Sequence, residues 1–227
     1  MKKFKALLVV ACALLLVAAS VFGTMAYLTS TTGEVKNTFT VGNVAITLDE
    51  AKVNVNGNPV DADGKEVALA KAPRVTGNAY KLIPSHKYTK DPTVHVTDGS
   101  EDAYVRMNVK VKNLDKLKAA FPADKYADYY AGDAGDVFLL EKLVKGWDSS
   151  KWAFQSFHTD TATYEFRYTD KAVAGENLPA LFTSIVIPGT VDKAALENLG
   201  KVEIVITADA IQAEGFDDAA AAWNAFR

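Results

Sequence analysis

The sequence contains a single cysteine, Cys12, in a chain of 227 residues. Cys12 lies inside an apolar N-terminal run, so the chain beyond that run cannot form a disulfide. A fold built from the chain beyond that run must be stabilised by burial of apolar side chains rather than by disulfides. The same scarcity excludes a cysteine nucleophile from the rest of the chain.

Histidine is also scarce. The chain has three histidines, His86, His95 and His158, and it contains no His-Glu-x-x-His motif. A zinc peptidase commonly places two histidines one helical turn apart with a catalytic glutamate between them. The sequence places these histidines in a turn, on a strand and at a strand end, so we interpret each as a surface or structural residue. A site assembled from all three across the fold stays open, but we predict no metal, no cofactor and no catalytic residue.

Clustered basic residues are missing as well. The formal net charge is -3, and a nucleic-acid-binding face would require grouped lysines and arginines. The composition therefore excludes nucleic acid as a partner and favours a soluble, mildly acidic surface.

The N-terminus has the three parts of a secretory signal peptide. Three lysines lie in residues 1–5, an apolar run covers 6–22, and Thr24 and Ala26 supply small residues at a cleavage site. Cleavage after Ala26 would make Tyr27 the new N-terminus, with no stable membrane insertion afterwards. An uncleaved anchor is the first alternative, since the run is at the short limit for a bilayer. A lipoprotein acylated at Cys12 is the second.

Beyond the signal peptide, alternation of apolar and polar residues is the dominant pattern. In residues 103–111 the apolar side chains Val105, Met107, Val109 and Val111 alternate with polar ones, which is typical of a strand with one face in the core and the other in water. Similar strands are predicted at 44–48, 94–96, 182–187 and 202–206, and a hairpin joins 152–158 to 163–169. The pattern predicts an all-β, antiparallel sandwich.

Helical patterns are short. Helices are predicted at 114–121, 126–130 and 137–144, and together they make residues 113–145 a helical excursion. A further helix is predicted at 193–199, with Asp192 as its N-terminal cap. A C-terminal helix is predicted to be capped by Asp217 and to pack on the sheet. No repeat or linker interrupts residues 27–227, which we interpret as one domain.

Two Asp-rich segments resemble cation sites only superficially. Residues 61–66 lack the ligand spacing and closing glutamate of a calcium loop, and are interpreted as a hairpin tip. Residues 132–136 are interpreted as a turn.

Several short motifs occur in an order and spacing that resemble the TasA/camelysin family, particularly its clostridial-type members. They are Gly23-Thr24-Met25-Ala26-Tyr27-Leu28, Asn37-Thr38-Phe39-Thr40-Val41-Gly42, Val44-Ala45-Ile46-Thr47-Leu48, Lys90-Asp91-Pro92-Thr93-Val94, Gly99-Ser100-Glu101-Asp102-Ala103-Tyr104-Val105-Arg106, and residues 208–226. One position departs from the family, because Pro84-Ser85 stands where a Pro-Gly turn is expected.

The resemblance implies a fold, an export route and a function. Family members are cleaved by the signal peptidase SipW, adopt a jelly-roll sandwich and polymerise into biofilm matrix fibres. Transferred to this chain, the protein is expected to be secreted to the matrix or surface of a Gram-positive bacterium, to bind other copies of itself head to tail, and to contact matrix polysaccharide.

The same resemblance implies that the freed N-terminal segment is a donor strand. The donor would cover residues 27–40 and be added to the next subunit, with its side chains filling pockets there. The donor-strand residues are Tyr27, Leu28, Val35 and Phe39, with Val41 directly after the segment. Of these, Val35, Phe39 and Val41 alternate with polar residues and would fill the pockets. Folding back of this strand onto its own domain is the alternative that the sequence leaves open.

Two other functions stay open. Some family members carry a metallo-endopeptidase assignment, although the histidines here do not favour a metal site. The other is a monomeric adhesin that binds glycan through a platform of aromatic side chains. The residues that could form this platform are Trp152, Phe154, Phe157, Tyr164, Phe166 and Tyr168. Alternating aromatics more commonly fill a sandwich interior.

Overall fold

A computed structural model of the chain describes residues 43–130, 142–199 and 202–226. The signal peptide, the cleavage residues Thr24, Ala26 and Tyr27, and the whole donor segment up to Val41 lie outside the described residues. The turn predicted at 132–136 lies outside them as well.

The described residues form ten strands and three short α-helices. The strands are β1 (Ile46–Ala51), β2 (Arg74–Val75), β3 (Lys87–Thr89), β4 (Thr93–Val96), β5 (Ala103–Lys112), β6 (Val144–Lys145), β7 (Trp152–His158), β8 (Thr163–Tyr168), β9 (Ser184–Val186) and β10 (Glu203–Gln212). The helices are α1 (Leu114–Ala120), α2 (Lys193–Asn198) and α3 (Ala219–Ala225), with 3-10 turns at Leu69–Lys71 and Ala127–Tyr129.

The strands pair in three antiparallel sheets. Their orders are β10-β5-β8-β7, β2-β1-β4 and β3-β9-β6. All pairs between named strands are antiparallel, which confirms the predicted all-β class. The jelly-roll connectivity stays a prediction.

The core lies on one face of the four-stranded sheet. In β5 the side chains of Val105, Met107 and Val109 are fully buried. The β8 aromatics share this face because Phe166 is paired with Met107 and Tyr164 with Val109. Residues of the other two sheets belong to the same apolar cluster, so a single core joins all three sheets.

The opposite face of this sheet is not simply solvated, contrary to the prediction. Tyr104, predicted to face water, is buried with Ala213, Ala222 and Trp223 in a second, smaller apolar cluster. The cause is α3, which lies over this face as the C-terminal pattern predicted. Alternation alone identifies two faces, but a distant helix decides whether the second one meets water.

The cap of α3 is Asp218 rather than the predicted Asp217. Asp218 has extended backbone angles, and its Oδ1 accepts a hydrogen bond of 2.8 Å from the backbone N of Ala221. The neighbouring aspartate is one residue too early for this contact. At α2 the predicted cap is confirmed, since Asp192 Oδ1 accepts from Ala194 N at 2.8 Å.

The predicted helical excursion contains more than helix. Helix α1 agrees with the prediction, and residues 126–130 contain only a 3-10 turn. Of the helix predicted at 137–144, residues 137–141 lie outside the described residues, and Val144 with Lys145 forms β6, which pairs with β9. The segment 61–66 is a hairpin tip as predicted, because Asp61 Oδ1 accepts hydrogen bonds from Asp63 N and Lys65 N.

Ser85 occupies a backbone conformation that favours glycine. Its φ is +63°, and this is the position where the family resemblance leads one to expect Pro-Gly. A left-handed conformation costs roughly 1–2 kcal/mol for a residue with a Cβ, partly offset by the greater unfolded-state freedom of glycine. Ser85→Gly is therefore expected to raise the free energy of unfolding by about 0.5–1 kcal/mol, measured by urea denaturation.

The matched control is Ser85→Ala, which removes the hydroxyl but keeps the Cβ. This variant should not raise the free energy of unfolding. An equal gain in both variants would show that the serine hydroxyl, and not its backbone conformation, is unfavourable.

Candidate strand-acceptor edge

Strand β10 forms one edge of the four-stranded sheet. It pairs with β5 along its full ten residues, and in the described ranges no strand pairs with its other side. Strand β1 passes within 8 Å, Cα to Cα, but is not paired with it. An unpaired edge presents backbone N–H and C=O groups that a further strand can satisfy.

The side chains of β10 are unusual for an edge. The five residues between Glu203 and Asp209 are uncharged, namely Ile204, Val205, Ile206, Thr207 and Ala208. Natural edge strands are commonly protected by lysine, proline or a bulge. None of these protections occurs within residues 204–208 of β10.

The inward-facing isoleucine side chains of β10 are only partly buried. Ile204 and Ile206 face the core opposite Val111 and Val109, which are 2% and 0% exposed. The two isoleucines nonetheless remain half-buried. A strand laid along this edge would remove further apolar surface from water, at about 25 cal/mol per Å².

The other edges in the described part of the chain are less suited to strand addition. Strand β7, at the opposite end of the same sheet, has a bulge between Phe154 and Ser156. Strands β2, β3 and β6 have only two or three residues each. The outer side of β4 is already hydrogen-bonded by the loop at Glu176 and Leu178. Strand β10 is therefore the candidate acceptor edge.

A charged cluster lies on the outer face of the sheet that β10 borders. Glu165, only 7% exposed, accepts a 2.8 Å hydrogen bond from Arg167 Nε, and its Oε2 lies 3.6 Å from Arg106 Nη1. Arg106 Nε also donates to Asp209 of β10 at 2.8 Å, and Asn108 donates to the same carboxylate oxygen at 3.0 Å. These contacts tie the outer face of β10 to β5 and β8.

Helix α3 covers this cluster with aromatic rings. The Arg106 guanidinium carbon lies 4.8 Å from the Trp223 ring centroid and 4.6 Å from that of Phe226. The Arg167 carbon is 5.6 Å from Trp223. Guanidinium groups at these distances are attracted to the ring faces, so the C-terminal residues help fix the β10 sheet.

A second ionic network joins β1, β2 and the segment before β4. Asp91, 7% exposed, accepts a 2.8 Å hydrogen bond from Ala51 N and a 2.5 Å hydrogen bond from Arg74 Nη1. Arg74 Nε also donates to Asp49 at 2.7 Å. Burial alone would lower the pKa of Arg74, but these two carboxylates outweigh it and raise the pKa above its ordinary value. Lys90 and Asp91, singled out above by family resemblance, are thus buried here.

The three histidines belong to separate local networks. His86 Nε2 lies 2.6 Å from the carbonyl O of Asn56, and His95 Nε2 lies 2.8 Å from Asp49 Oδ1. His158 ends β7. Among the described residues, no three histidine, cysteine or acidic side chains are grouped to hold a metal ion.

The aromatic residues of β7 and β8 face mainly inward. Trp152 and Tyr164 are 0% exposed, and Phe166 and Tyr168 are also buried. The remaining two, Phe154 and Phe157, are half-buried against the same core. These six side chains therefore do not form an exposed platform.

Sequence reasoning identified strand character near β10 but missed its place at the edge. The uncharged run 204–208 gave no signal of an edge, because natural edge strands are normally interrupted by a charge there. The outer-face cluster had no short motif, because its members come from residues about 60 and 100 positions apart.

The comparisons with known proteins give no neighbour. No protein-family model matches the chain, and neither a curated protein nor a solved structure matches it. The TasA/camelysin assignment therefore stays a prediction based on the motifs quoted above. None of the helices in the described residues combines the length and apolar character needed to cross a membrane.

Proposed function

We propose that this chain is a secreted structural subunit of an extracellular matrix, which polymerises when its N-terminal segment adds as a strand to the next subunit. The observation that supports this most directly is the β10 edge, which is ten residues long and uncharged from 204 to 208. Its half-buried Ile204 and Ile206 leave apolar surface for an added strand to cover.

The donor would be residues 27–40, freed by SipW-type cleavage after Ala26. This segment lies directly before the chain that forms β1, and it is longer than β10. Val35, Phe39 and Val41 share one side of an extended chain, since side chains alternate with a period of two. They would lie against Ile204 and Ile206 in the acceptor.

Donor and acceptor are different surfaces of one subunit. Such a head-to-tail contact does not close on itself unless the rotation between subunits happens to make a ring, so it generates a filament. This assembly needs no cofactor and no catalytic residue, and matrix polysaccharide would be a further partner outside the polymer itself.

The donor is tested by a matched pair of substitutions. In the chain secreted by its own host, Phe39→Asp should abolish filaments in electron micrographs and leave monomers in sedimentation, because a charge cannot enter an apolar pocket. Thr40→Asp, on the opposite side of the strand, should leave filaments in place. Filaments from the Phe39 variant, or their loss from both variants, would contradict the proposed register.

The acceptor is tested by mixing. Ile206→Lys places an inward charge on the edge and should leave a monomer that can still donate. Combined with the Phe39→Asp monomer, which can still accept, it should form one-to-one dimers. Circular dichroism checks that each variant is folded. If two folded variants stay monomeric when mixed, then β10 is not the acceptor.

A further inference from the structure

A buried lysine and an asparagine amide meet on one carboxylate beside β1. Lys90 Nζ donates to Glu50 Oε2 at 2.6 Å, and Asn78 Nδ2 donates to Glu50 Oε1 at 2.9 Å. The lysine and glutamate side chains are 9% and 6% exposed. Amine and amide are thus separated by only one carboxylate and its two hydrogen bonds.

The amide of Asn78 is held on both sides. Its carbonyl Oδ1 accepts a 2.9 Å hydrogen bond from the backbone N of Val53, and its Nδ2 also donates to the carbonyl of Ala51 at 2.9 Å. A backbone N–H aimed at a carbonyl oxygen stabilises negative charge that develops there during nucleophilic attack. The site therefore has a nucleophile, a proton acceptor and a polarised electrophile.

The half-buried Tyr80 lies close to Glu50 and Asn78. Tyr88, 1% exposed, packs against Tyr80 with ring centroids 5.7 Å apart. Burial, with the nearby Glu50 carboxylate adding to it, raises the pKa of the Tyr80 hydroxyl well above its ordinary value. The Lys90 and Glu50 side chains therefore hold their 2.6 Å contact with little competing solvent.

We propose that Lys90 and Asn78 join in an intramolecular amide bond, with Glu50 as the proton carrier. Glu50 takes a proton from the Lys90 ammonium, and the neutral Nζ attacks Cγ of Asn78. Glu50 passes that proton to Nδ2, and the C–Nδ2 bond breaks as ammonia departs. The second proton that Nζ loses on becoming an amide nitrogen is then taken up by the departing ammonia, again through Glu50. The charged lysine and the neutral amide thus become a secondary amide and one ammonium ion, with no oxidant or reductant required.

The bond would close the loop between Asn78 and Lys90. This chain has no cysteine beyond Cys12, so a side-chain amide provides the covalent cross-link that a disulfide cannot. The inference rests on the described residues alone and holds whether or not the chain polymerises.

Mass spectrometry of the protein purified from its host tests the bond. The intact chain should be lighter than its sequence mass by one ammonia molecule. After trypsin digestion, residues 75–81 and 88–106 should form one branched peptide, because modified Lys90 is not cleaved. A chain of full mass, with separate peptides ending at Lys81 and Lys90, would overturn the proposal.

Three variants assign the chemistry. Lys90→Arg and Glu50→Gln should both retain the full mass, whereas Asn78→Asp should lose water and reach the same final mass as the cross-linked chain. Asn78 can also lose ammonia by closing on its own backbone, and that product would persist in Lys90→Arg and be cleaved by hydroxylamine. Such persistence would overturn the cross-link, and circular dichroism confirms that each variant is folded.

Discussion

Replacing Trp152 with alanine is expected to lower the free energy of unfolding by about 3–5 kcal/mol, the range for large aromatic side chains in a core. Trp152 is 0% exposed and packs against Tyr168 with ring centroids 5.3 Å apart. Its Nε1 donates to the carbonyl of Pro179 at 2.8 Å, so the substitution leaves a cavity and also removes this hydrogen bond. Chemical denaturation followed by circular dichroism measures the loss.

The control for this substitution is Trp152→Phe, which retains a ring but lacks the indole N–H. It should cost less, about 1–3 kcal/mol. A loss below about 1 kcal/mol in the alanine variant would contradict the packing described above. The result also bears on the adhesin alternative, because removing Trp152 would weaken the fold and cannot report on glycan binding by itself.

Replacing Glu165 with alanine is expected to cost about 2–4 kcal/mol of unfolding free energy. The carboxylate is the shared partner of Arg106 and Arg167, and both guanidinium groups are partly covered by Trp223. Removing one member of a buried ionic group leaves the others without compensation. This expected loss is smaller than for a fully buried ion pair, because the two arginine side chains are 20% and 28% exposed and solvent screens their charges.

Asp209→Ala is the matched control for Glu165. Asp209 also contacts Arg106, but its side chain is 32% exposed, so its loss should cost only about 1 kcal/mol. The loss of unfolding free energy in Glu165→Gln should fall between those of the two alanine variants, since glutamine retains a hydrogen-bond acceptor without the charge. Equal losses from the two alanine variants, measured by urea denaturation, would show that burial of Glu165 adds nothing.

The sequence predicts strands well where one face meets the core. Alternation in 103–111 correctly identified β5 and its buried valines, because a period of two is imposed by burial on a single face. The capping aspartate of α3 was missed by one residue, since Asp217 and Asp218 are adjacent and only backbone geometry distinguishes them. Short elements such as β2 and β6 have no detectable period.

The candidate sites depend on contacts that no local pattern encodes. Glu50, Asn78 and Lys90 come from three segments that β1 and its neighbours bring together. The edge position of β10 likewise follows from the order in which strands pair, which alternation cannot reveal. The lack of charge in 204–208 was visible beforehand, but it is more typical of a strand paired on both sides.

The bulge in β7 has a consequence for how a polymer of this subunit would grow. The two ends of the four-stranded sheet are unlike, since β10 is regular along its length whereas β7 is bent between Phe154 and Ser156. Strand addition at a bulge is unfavourable because the ladder of hydrogen bonds is interrupted. The four-stranded sheet of each proposed subunit can then accept only one donor strand, so filaments would elongate without branching. A truncated copy that lacks residues 27–40 could accept a donor strand but could not donate one, and it would terminate the end to which it binds.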